Sequence, residues 1–336
     1  MYFILFNHIA IKVFGLMDAQ INIIQQELGS YISVIDFDCS KFEVELNLIG
    51  LNQNELYSKR NCLSNQINST GFYRVFDDVY DKDNFIVTFG VKENNPKLKL
   101  YYNKDNNNSA YMIMRIIRSI FLKLSLVENS LFLHASAVVY NGKAIVFTGP
   151  KKAGKTTTML AMLEYTNSAP LTNDKLLLKK NNDSIEVYGF PIRAGIRSGT
   201  LISFSTIHER LYRLPKNSIY DDKILRVTMD NLAHLYQRQA IQHSDLGVIF
   251  FPIYEPNINE PNIKKLTNKQ VEILLAQSVL SEFKDIEPLQ TAIQDYFYEP
   301  DYSNENIIFK FDVYEIKYNP SIVKEAINEI LNILGK

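Results

Sequence analysis

The sequence predicts an α/β protein built around a phosphate-binding loop and preceded by a β-rich region of α+β type. Segments with strand-like and helix-like patterns alternate from residue 131 to about residue 255. Within them, a strand, a glycine-containing loop and a helix follow one another between residues 143 and 165. Amphipathic helical patterns then dominate the C-terminal third.

The N-terminal region contains short runs of β-branched and aromatic residues, namely HIAIKVFG, FEVELNLIG, NFIVTFGV and LKLYYN. Turn-forming clusters such as DDVYDKDN separate these runs. The polar stretch NKDNNNSA, at 103–110, is the best candidate for a domain boundary. We therefore expect a β-rich recognition or assembly region at 1–110. A phosphate-loop domain would follow at 111–336, and the segment SAYMIMRIIRSIFLKLSL at this boundary is predicted to be an amphipathic helix.

Turn and capping signals delimit the elements of the second region. Asn141-Gly142, the strongest two-residue signal for a β-hairpin, joins the strands LFLHASAVVY and KAIVFTG. A helix is predicted at 155–165, a second hairpin joins KLLLKK to SIEVYGFP, and DLGVIFFP reads as a buried strand. Two helices follow, one opened by the capping box of Thr267 and Gln270 and one by Pro320.

Composition argues against several kinds of partner. The 336 residues include 36 basic and 37 acidic ones, so no charge excess favours nucleic acid or an anionic membrane. The apolar start lacks the basic segment of a signal peptide, and no uninterrupted apolar run reaches the length of a transmembrane helix. The two cysteines, Cys39 and Cys62, form no metal or redox motif, which fits a reducing compartment. We expect a cytoplasmic protein, and the sequence leaves a homo-oligomer open.

Residues 149–156 read GPKKAGKT, which matches the phosphate-loop pattern G-x-x-x-x-G-K-[ST]. In such a loop, backbone N–H groups and a helix N-terminus converge on phosphate oxygens. The lysine neutralises phosphate charge and the threonine hydroxyl ligates Mg²⁺. The pattern therefore predicts binding of ATP and Mg²⁺ by Gly149, Pro150, Lys151, Lys152, Ala153, Gly154, Lys155, Thr156 and Thr157.

Two further residues fall at distances that suit the same site. Asp174 lies 19 residues after Lys155, which leaves room for one helix and a return strand. His134 lies 15 residues before Gly149, on the neighbouring strand of the predicted hairpin. Each also has a structural explanation, since His134 could be a core residue and Asp174 an ordinary turn residue. Arg210 and Arg213 are additional candidates for a phosphate clamp.

This arrangement resembles the HPr kinase/phosphorylase family, whose core is related to phosphoenolpyruvate carboxykinase. Residues 131–192 carry the resemblance, with a histidine opening a strand, then the loop, then an acidic position. The segment IEVYGFP is similar to the family signature L-E-I-R-G-L-G and puts Glu186 in its acidic position. LHASAV and ND are typical of diverged members, some of which phosphorylate Ser of a precursor peptide in bacterial peptide-modification pathways.

The resemblance implies a kinase core of HPr kinase/phosphoenolpyruvate carboxykinase type. It implies catalytic roles for Asp174, His134 and Lys155, and metal ligation by Thr156, Asp174 and Glu186. The family has two adjacent aspartates where this chain has Asn173-Asp174, so the resemblance leaves open whether Asp174 is base or metal ligand. The N-terminal region matches no family pattern, and HPr itself is not the expected substrate.

The sequence thus favours an ATP-dependent kinase that phosphorylates a hydroxyl, most simply Ser or Thr of a peptide or protein. Motor and switch NTPases usually carry a metal-binding acid at the end of a later strand, and LGVIFFP ends without one. Two alternatives stay open. One is a nucleotide-dependent binding or scaffold protein without transfer activity, and the other is a small-molecule kinase.

Overall fold

The computed structural model describes residues 1–6, 9–35, 43–64, 73–77, 84–89, 97–125, 130–181, 184–203, 209, 219–221, 224–279 and 311–335. These residues form two compact units. The first comprises the described residues up to Val127, and the second comprises those that follow Glu128. Both units combine helices with mixed β-sheets, so the α/β class predicted from the sequence is confirmed at that level.

The first unit is a seven-stranded mixed sheet with helices, in the order β3-β1-β2-β4-β7-β6-β5. The β2–β4 and β4–β7 pairs are parallel and the others antiparallel. Alternating burial along β4 and β7 gives one face to the core. The elements are β1 Tyr2–Leu5, β2 Ile9–Phe14, α1 Asp18–Leu28, β3 Ile32–Ile35, β4 Val44–Leu51, α2 Gln53–Ser64, β5 Tyr73–Asp77, β6 Asn84–Phe89, β7 Lys97–Asn103 and α3 Ser109–Ser125.

The division of the chain differs from the predicted one at helix α3. The sequence placed this helix at the start of the second domain, whereas it belongs to the first unit and packs against α1 and β2. The buried Gln20 side chain in α1 also donates to the Tyr102 and Ser109 hydroxyls, at 3.1 and 3.3 Å. Although α3 is apolar, no helix among the described residues is long and apolar enough to cross a membrane.

The second unit contains a nine-stranded mixed sheet and a three-stranded antiparallel sheet, β14-β16-β15. In the larger sheet the order is β11-β9-β10-β17-β13-β12-β8, and β19 pairs with both β17 and β18. Strand β17 lies parallel to β10 and to β19. The elements are β8 Ser130–Leu133, β9 Ala135–Tyr140, β10 Lys143–Thr148, α4 Lys155–Tyr165, β11 Ala169–Thr172, β12 Leu176–Asn181, β13 Ser184–Gly189, β14 Ala194–Arg197, α5 Ser198–Ser203, β15 Ile219–Asp221, β16 Ile224–Val227, α6 Met229–Leu235, β17 His243–Tyr254, β18 Asn262–Lys265, α7 Asn268–Ser278, β19 Val313–Tyr318 and α8 Val323–Ile333.

Both predicted hairpins of this unit are confirmed. Strands β9 and β10 pair antiparallel around Asn141 and Gly142, whose φ angles are +49° and +75°. Positive φ at both central residues is the geometry of the tight turn that favours Asn-Gly. Strands β12 and β13 also pair antiparallel, from Leu176 opposite Gly189 to Asn181 opposite Ser184.

Two chain segments bend side by side at one corner of the larger sheet. A single residue, His134, separates β8 from β9, yet β8 pairs with β12 whereas β9 pairs with β10 and β11. Residues 173–175 make the corresponding bend between β11 and β12. Buried side chains from strands on both sides of this corner share one hydrophobic cluster, for example Leu133, Ala137 and Leu178. The corner therefore brings His134 next to residues 173–175.

A buried tyrosine connects β19 to helix α4. The Tyr318 hydroxyl lies 2.7 Å from the Thr158 hydroxyl and 3.5 Å from the carbonyl oxygen of Gly154. The Tyr318 side chain is 3% exposed, and burial raises its pKa to about 12. Because the buried phenol resists ionisation, Tyr318 stays neutral at a pH where an exposed tyrosine is charged.

We expect this burial to lower the free energy of unfolding at alkaline pH. An unfolded tyrosine ionises near pH 10, so between pH 10 and about 12 the unfolded state binds fewer protons and stability falls as pH rises. Tyr318→Phe removes this loss together with a hydrogen bond worth about 1 kcal/mol. The stability advantage of wild type over Tyr318→Phe should therefore shrink by about 1.4 kcal/mol between neutral pH and pH 11.

Urea unfolding of both proteins at several pH values measures this difference. Tyr254→Phe, at a tyrosine that is 55% exposed, controls for the loss of a hydroxyl. A stability difference between wild type and Tyr318→Phe that stays constant with pH would contradict the assignment.

Candidate nucleotide site

The loop from 149 to 154 leads directly from β10 into α4, as the sequence predicts. Gly149 and Gly154 have φ angles of +136° and +109°, which favour glycine. A Cβ atom at Gly154 would also lie 3.0 Å from the Tyr318 hydroxyl. The amide of Thr158 donates to the Gly154 carbonyl at 2.8 Å, so regular helical bonding begins there. The preceding amides of the first helical turn lack intrahelical acceptors and suit an anion.

Lys155 is folded back over the loop. Its ammonium group donates to the carbonyl oxygens of Gly149, at 2.8 Å, and Pro150, at 3.0 Å. Burial lowers the pKa of Lys155, while the Asp174 carboxylate acts in the opposite direction and raises it. A lysine held only by carbonyl oxygens can exchange them for phosphate oxygens, which carry full negative charge.

The threonine of the loop is held by a residue from the corner. The hydroxyl of Thr156 donates to Oδ1 of Asn173 at 2.9 Å, and the hydroxyl of Ser136 donates to the same oxygen at 2.8 Å. Asn173 and Ser136 are fully buried. The beginning of α4, strand β9 and the bend after β11 therefore meet at one amide oxygen.

His134 and Asp174 face each other at the same corner. Nε2 of His134 lies 3.4 Å from Oδ1 of Asp174, and the two side chains are 36% and 45% exposed. The backbone of His134 is held on both sides, because its amide donates to Ser278 at 2.9 Å and its carbonyl accepts from the Thr148 hydroxyl at 3.2 Å. Thr148 immediately precedes the loop, so the acid, the imidazole and the phosphate loop converge.

The backbone at Asp174 is unusual for a non-glycine residue. Its φ angle is +66°, in the left-handed region that Asp and Asn tolerate better than most side chains. The preceding Thr172 side chain stabilises the bend, because its hydroxyl donates to the carbonyl of Lys175 at 2.7 Å. This conformation turns the chain between β11 and β12 and sets the direction of the Asp174 carboxylate.

The structure does not bring Glu186 to the loop. Glu186 lies opposite Asp245 on β17, and Asp245 lies opposite Lys143, the first residue of β10. The loop follows the other end of β10, five residues later, so the strand rise separates the two levels by about 16 Å. The Glu186 carboxylate instead accepts from the Tyr188 hydroxyl at 2.7 Å and from the Asn181 amide.

Sequence reasoning missed the residues that support the loop from a distance. Tyr318 and Thr200, whose hydroxyl lies 3.1 Å from that of Thr157, belong to no motif, and only the tertiary structure brings them to the loop. Ser136 lies within LHASAV, but the sequence assigned it no role. Arg210 and Arg213, the candidates for a phosphate clamp, lie outside the described residues.

The oxygen groups at the site fit a magnesium ion that a nucleotide brings with it. The Thr156 hydroxyl and the partly exposed Asp174 carboxylate are suitable hard ligands. In the part of the chain that the structure describes, no group of three His, Cys, Asp or Glu side chains gathers to hold a metal. In nucleotide sites, phosphates and water supply most ligands of Mg²⁺, so few protein oxygens are needed.

Comparison with known proteins shows weak structural similarity. No family model matches the chain, and no curated protein matches it. A solved structure, the Hpr(Ser) kinase/phosphatase from Coxiella burnetii, matches 61% of this chain and 99% of its own, at 11% identity and a TM-score of 0.31. At that TM-score the similarity carries no argument about activity. The α/β architecture therefore rests on the strand order described above.

Proposed function

We propose that this protein is an ATP-dependent kinase that transfers a phosphoryl group to a hydroxyl. The observation that carries the proposal is the Asp174–His134 pair, 3.4 Å apart, beside a complete phosphate loop. A loop that only bound nucleotide would not need an exposed acid and an imidazole at its mouth. Phosphoryl transfer needs positioning, charge neutralisation and a proton acceptor, and these residues supply all three.

Each residue has a defined task in the proposed reaction. Lys155 and the loop amides would hold the phosphates, and the Thr156 hydroxyl would help to hold Mg²⁺, which would supply further positive charge to them. Asp174 accepts the proton of the attacking hydroxyl, and His134 lies beside it near the transferred group. The acceptor oxygen bonds to the γ-phosphorus, the bond to the β–γ bridging oxygen breaks, and ADP leaves.

The proposed acceptor is Ser or Thr of a peptide or protein. The motif resemblance of residues 131–192 favours this class, and a partly exposed acid suits a hydroxyl presented from outside. A small alcohol is the alternative acceptor. Assays with peptides and with small alcohols therefore belong in the same experiment.

Lys155→Ala should remove most of the stabilisation that ATP with Mg²⁺ gives to wild type. A ligand at a hundredfold excess over its Kd raises the free energy of unfolding by about 2.7 kcal/mol. Without the ammonium group at the loop, that affinity is lost while the fold remains. Thermal unfolding with and without ATP and Mg²⁺ measures the effect.

Lys264→Ala is the matched control, since Lys264 is an exposed lysine of β18 in the same unit. It should keep the full ATP-induced shift. If Lys155→Ala kept the same shift as wild type, the loop would not be the nucleotide site.

Asp174→Asn should reduce phosphoryl transfer by about 10²-fold or more, the usual range for losing a general base. Asn tolerates the positive φ of this position, so the fold and most of the ATP affinity should survive. The measurement is transfer of labelled γ-phosphate to candidate hydroxyl acceptors, together with ATP affinity.

Glu186→Gln is the matched control because the sheet register puts Glu186 at the level of Asp245 and Lys143. We expect it to leave transfer unchanged. Equal transfer by wild type and Asp174→Asn would contradict the mechanism. Tight ATP binding by wild type without transfer to any hydroxyl would instead favour the scaffold function.

A further inference from the structure

The Asn173 side chain is fully buried, and its two polar atoms differ in the hydrogen bonds that they form. Its Oδ1 accepts two hydrogen bonds, from Thr156 and Ser136. Its Nδ2 is buried and has no hydrogen-bond partner among the residues that the structure describes. Buried polar groups are normally paired, because an unmatched donor loses its bonds to water without compensation. This energetically unfavourable arrangement indicates that Asn173 has a role beyond packing.

The chemistry of the Thr156 hydroxyl indicates that role. A hydroxyl that ligates a cation must offer an oxygen lone pair to it, so its proton has to point elsewhere. Oδ1 of Asn173, at 2.9 Å, accepts that proton. The hydrogen bond therefore leaves the oxygen lone pairs of Thr156 available to a cation.

Ser136 holds the amide in the required orientation. Its hydroxyl, on β9, donates to the same Oδ1 at 2.8 Å. Because the Ser136 and Thr156 hydroxyls both donate to Oδ1, the amide oxygen of Asn173 faces Thr156. Ser136 and Asn173, which lie at the corner of the sheet, thus set the orientation of the Thr156 hydroxyl on α4.

We infer that Asn173 is a positioning residue for divalent-metal binding, which acts through the Thr156 hydroxyl and does not touch the metal. The inference rests on the proposed nucleotide site and goes beyond it, because it assigns metal dependence to an uncharged, buried amide. Residues that orient a metal ligand typically contribute about 10- to 100-fold to metal affinity. The effect should appear only when the metal is present.

Calorimetric titration with a non-hydrolysable ATP analogue tests this without relying on activity. It is carried out in Mg²⁺, in Mn²⁺ and in EDTA. For Asn173→Ala we expect the metal-dependent gain in affinity to fall by about 10- to 100-fold. Affinity in EDTA should stay within about threefold of wild type, because the loop amides and Lys155 are untouched. That binding also shows that the variant has a folded loop.

Two further variants keep the test decisive if Asn173→Ala fails to fold. Asn173→Asp keeps an acceptor oxygen in place and should retain the metal-dependent gain. Ser136→Ala removes only the anchor and should give a smaller loss of the same gain, with affinity in EDTA unchanged.

Equal losses with and without metal, or no loss in Asn173→Ala and Ser136→Ala, would overturn the inference and leave the kinase proposal standing. Wild type that binds no analogue in any condition would instead overturn the proposed nucleotide site, and the inference with it.

Discussion

The candidate site depends on a bend that two paired chain segments of the larger sheet share. Strands β8 and β9 are almost continuous, and so are β11 and β12. The two segments pair with each other on both sides of the corner, β8 with β12 and β9 with β11. Sharing of one hydrophobic cluster by strands on both sides stabilises this geometry. His134 and Asp174 occupy the bends themselves, so the packing that closes the sheet also sets their separation. The separation of His134 and Asp174 thus follows from the packing of the hydrophobic core.

Two energetically unfavourable features of this corner direct polar groups towards the phosphate loop. Asp174 has a left-handed conformation, and the buried Nδ2 of Asn173 finds no hydrogen-bond partner within the described part of the chain. Each feature costs stability, and neither improves packing. Both direct polar groups towards the phosphate loop, namely the carboxylate of Asp174 and, through Asn173, the hydroxyl of Thr156. Unfavourable features that converge on one place are characteristic of functional sites.

The net charge of the site is set by the lysines of the phosphate loop and by the neighbouring Asp174 carboxylate. Burial lowers the pKa of Lys155, and Asp174 partly offsets this by raising it. The neighbouring Asn173 adds polarity without charge. The loop also contains Lys151 and Lys152, so its three lysines outweigh the Asp174 carboxylate and leave positive charge for the phosphates.

The sequence by itself determined the features that depend on a few neighbouring residues. The loop glycines and the turn at Asn141-Gly142 are of this kind, since both require positive φ angles that few residues adopt. The distances of His134 and Asp174 from the loop along the chain also predicted their convergence, because one hairpin and one helix return the chain over a limited range of geometries.

Only the tertiary structure decided the features that depend on pairing between distant segments. The register of β13 against β17 set the position of Glu186, although its motif suggested a place in the site. Packing against α1 and β2 assigned α3 to the first unit. Tyr318 reaches the loop residue Gly154 from a strand 164 residues further along the chain. The physical reason is that register and packing are selected by the whole core, whereas propensities and motifs act over a few residues.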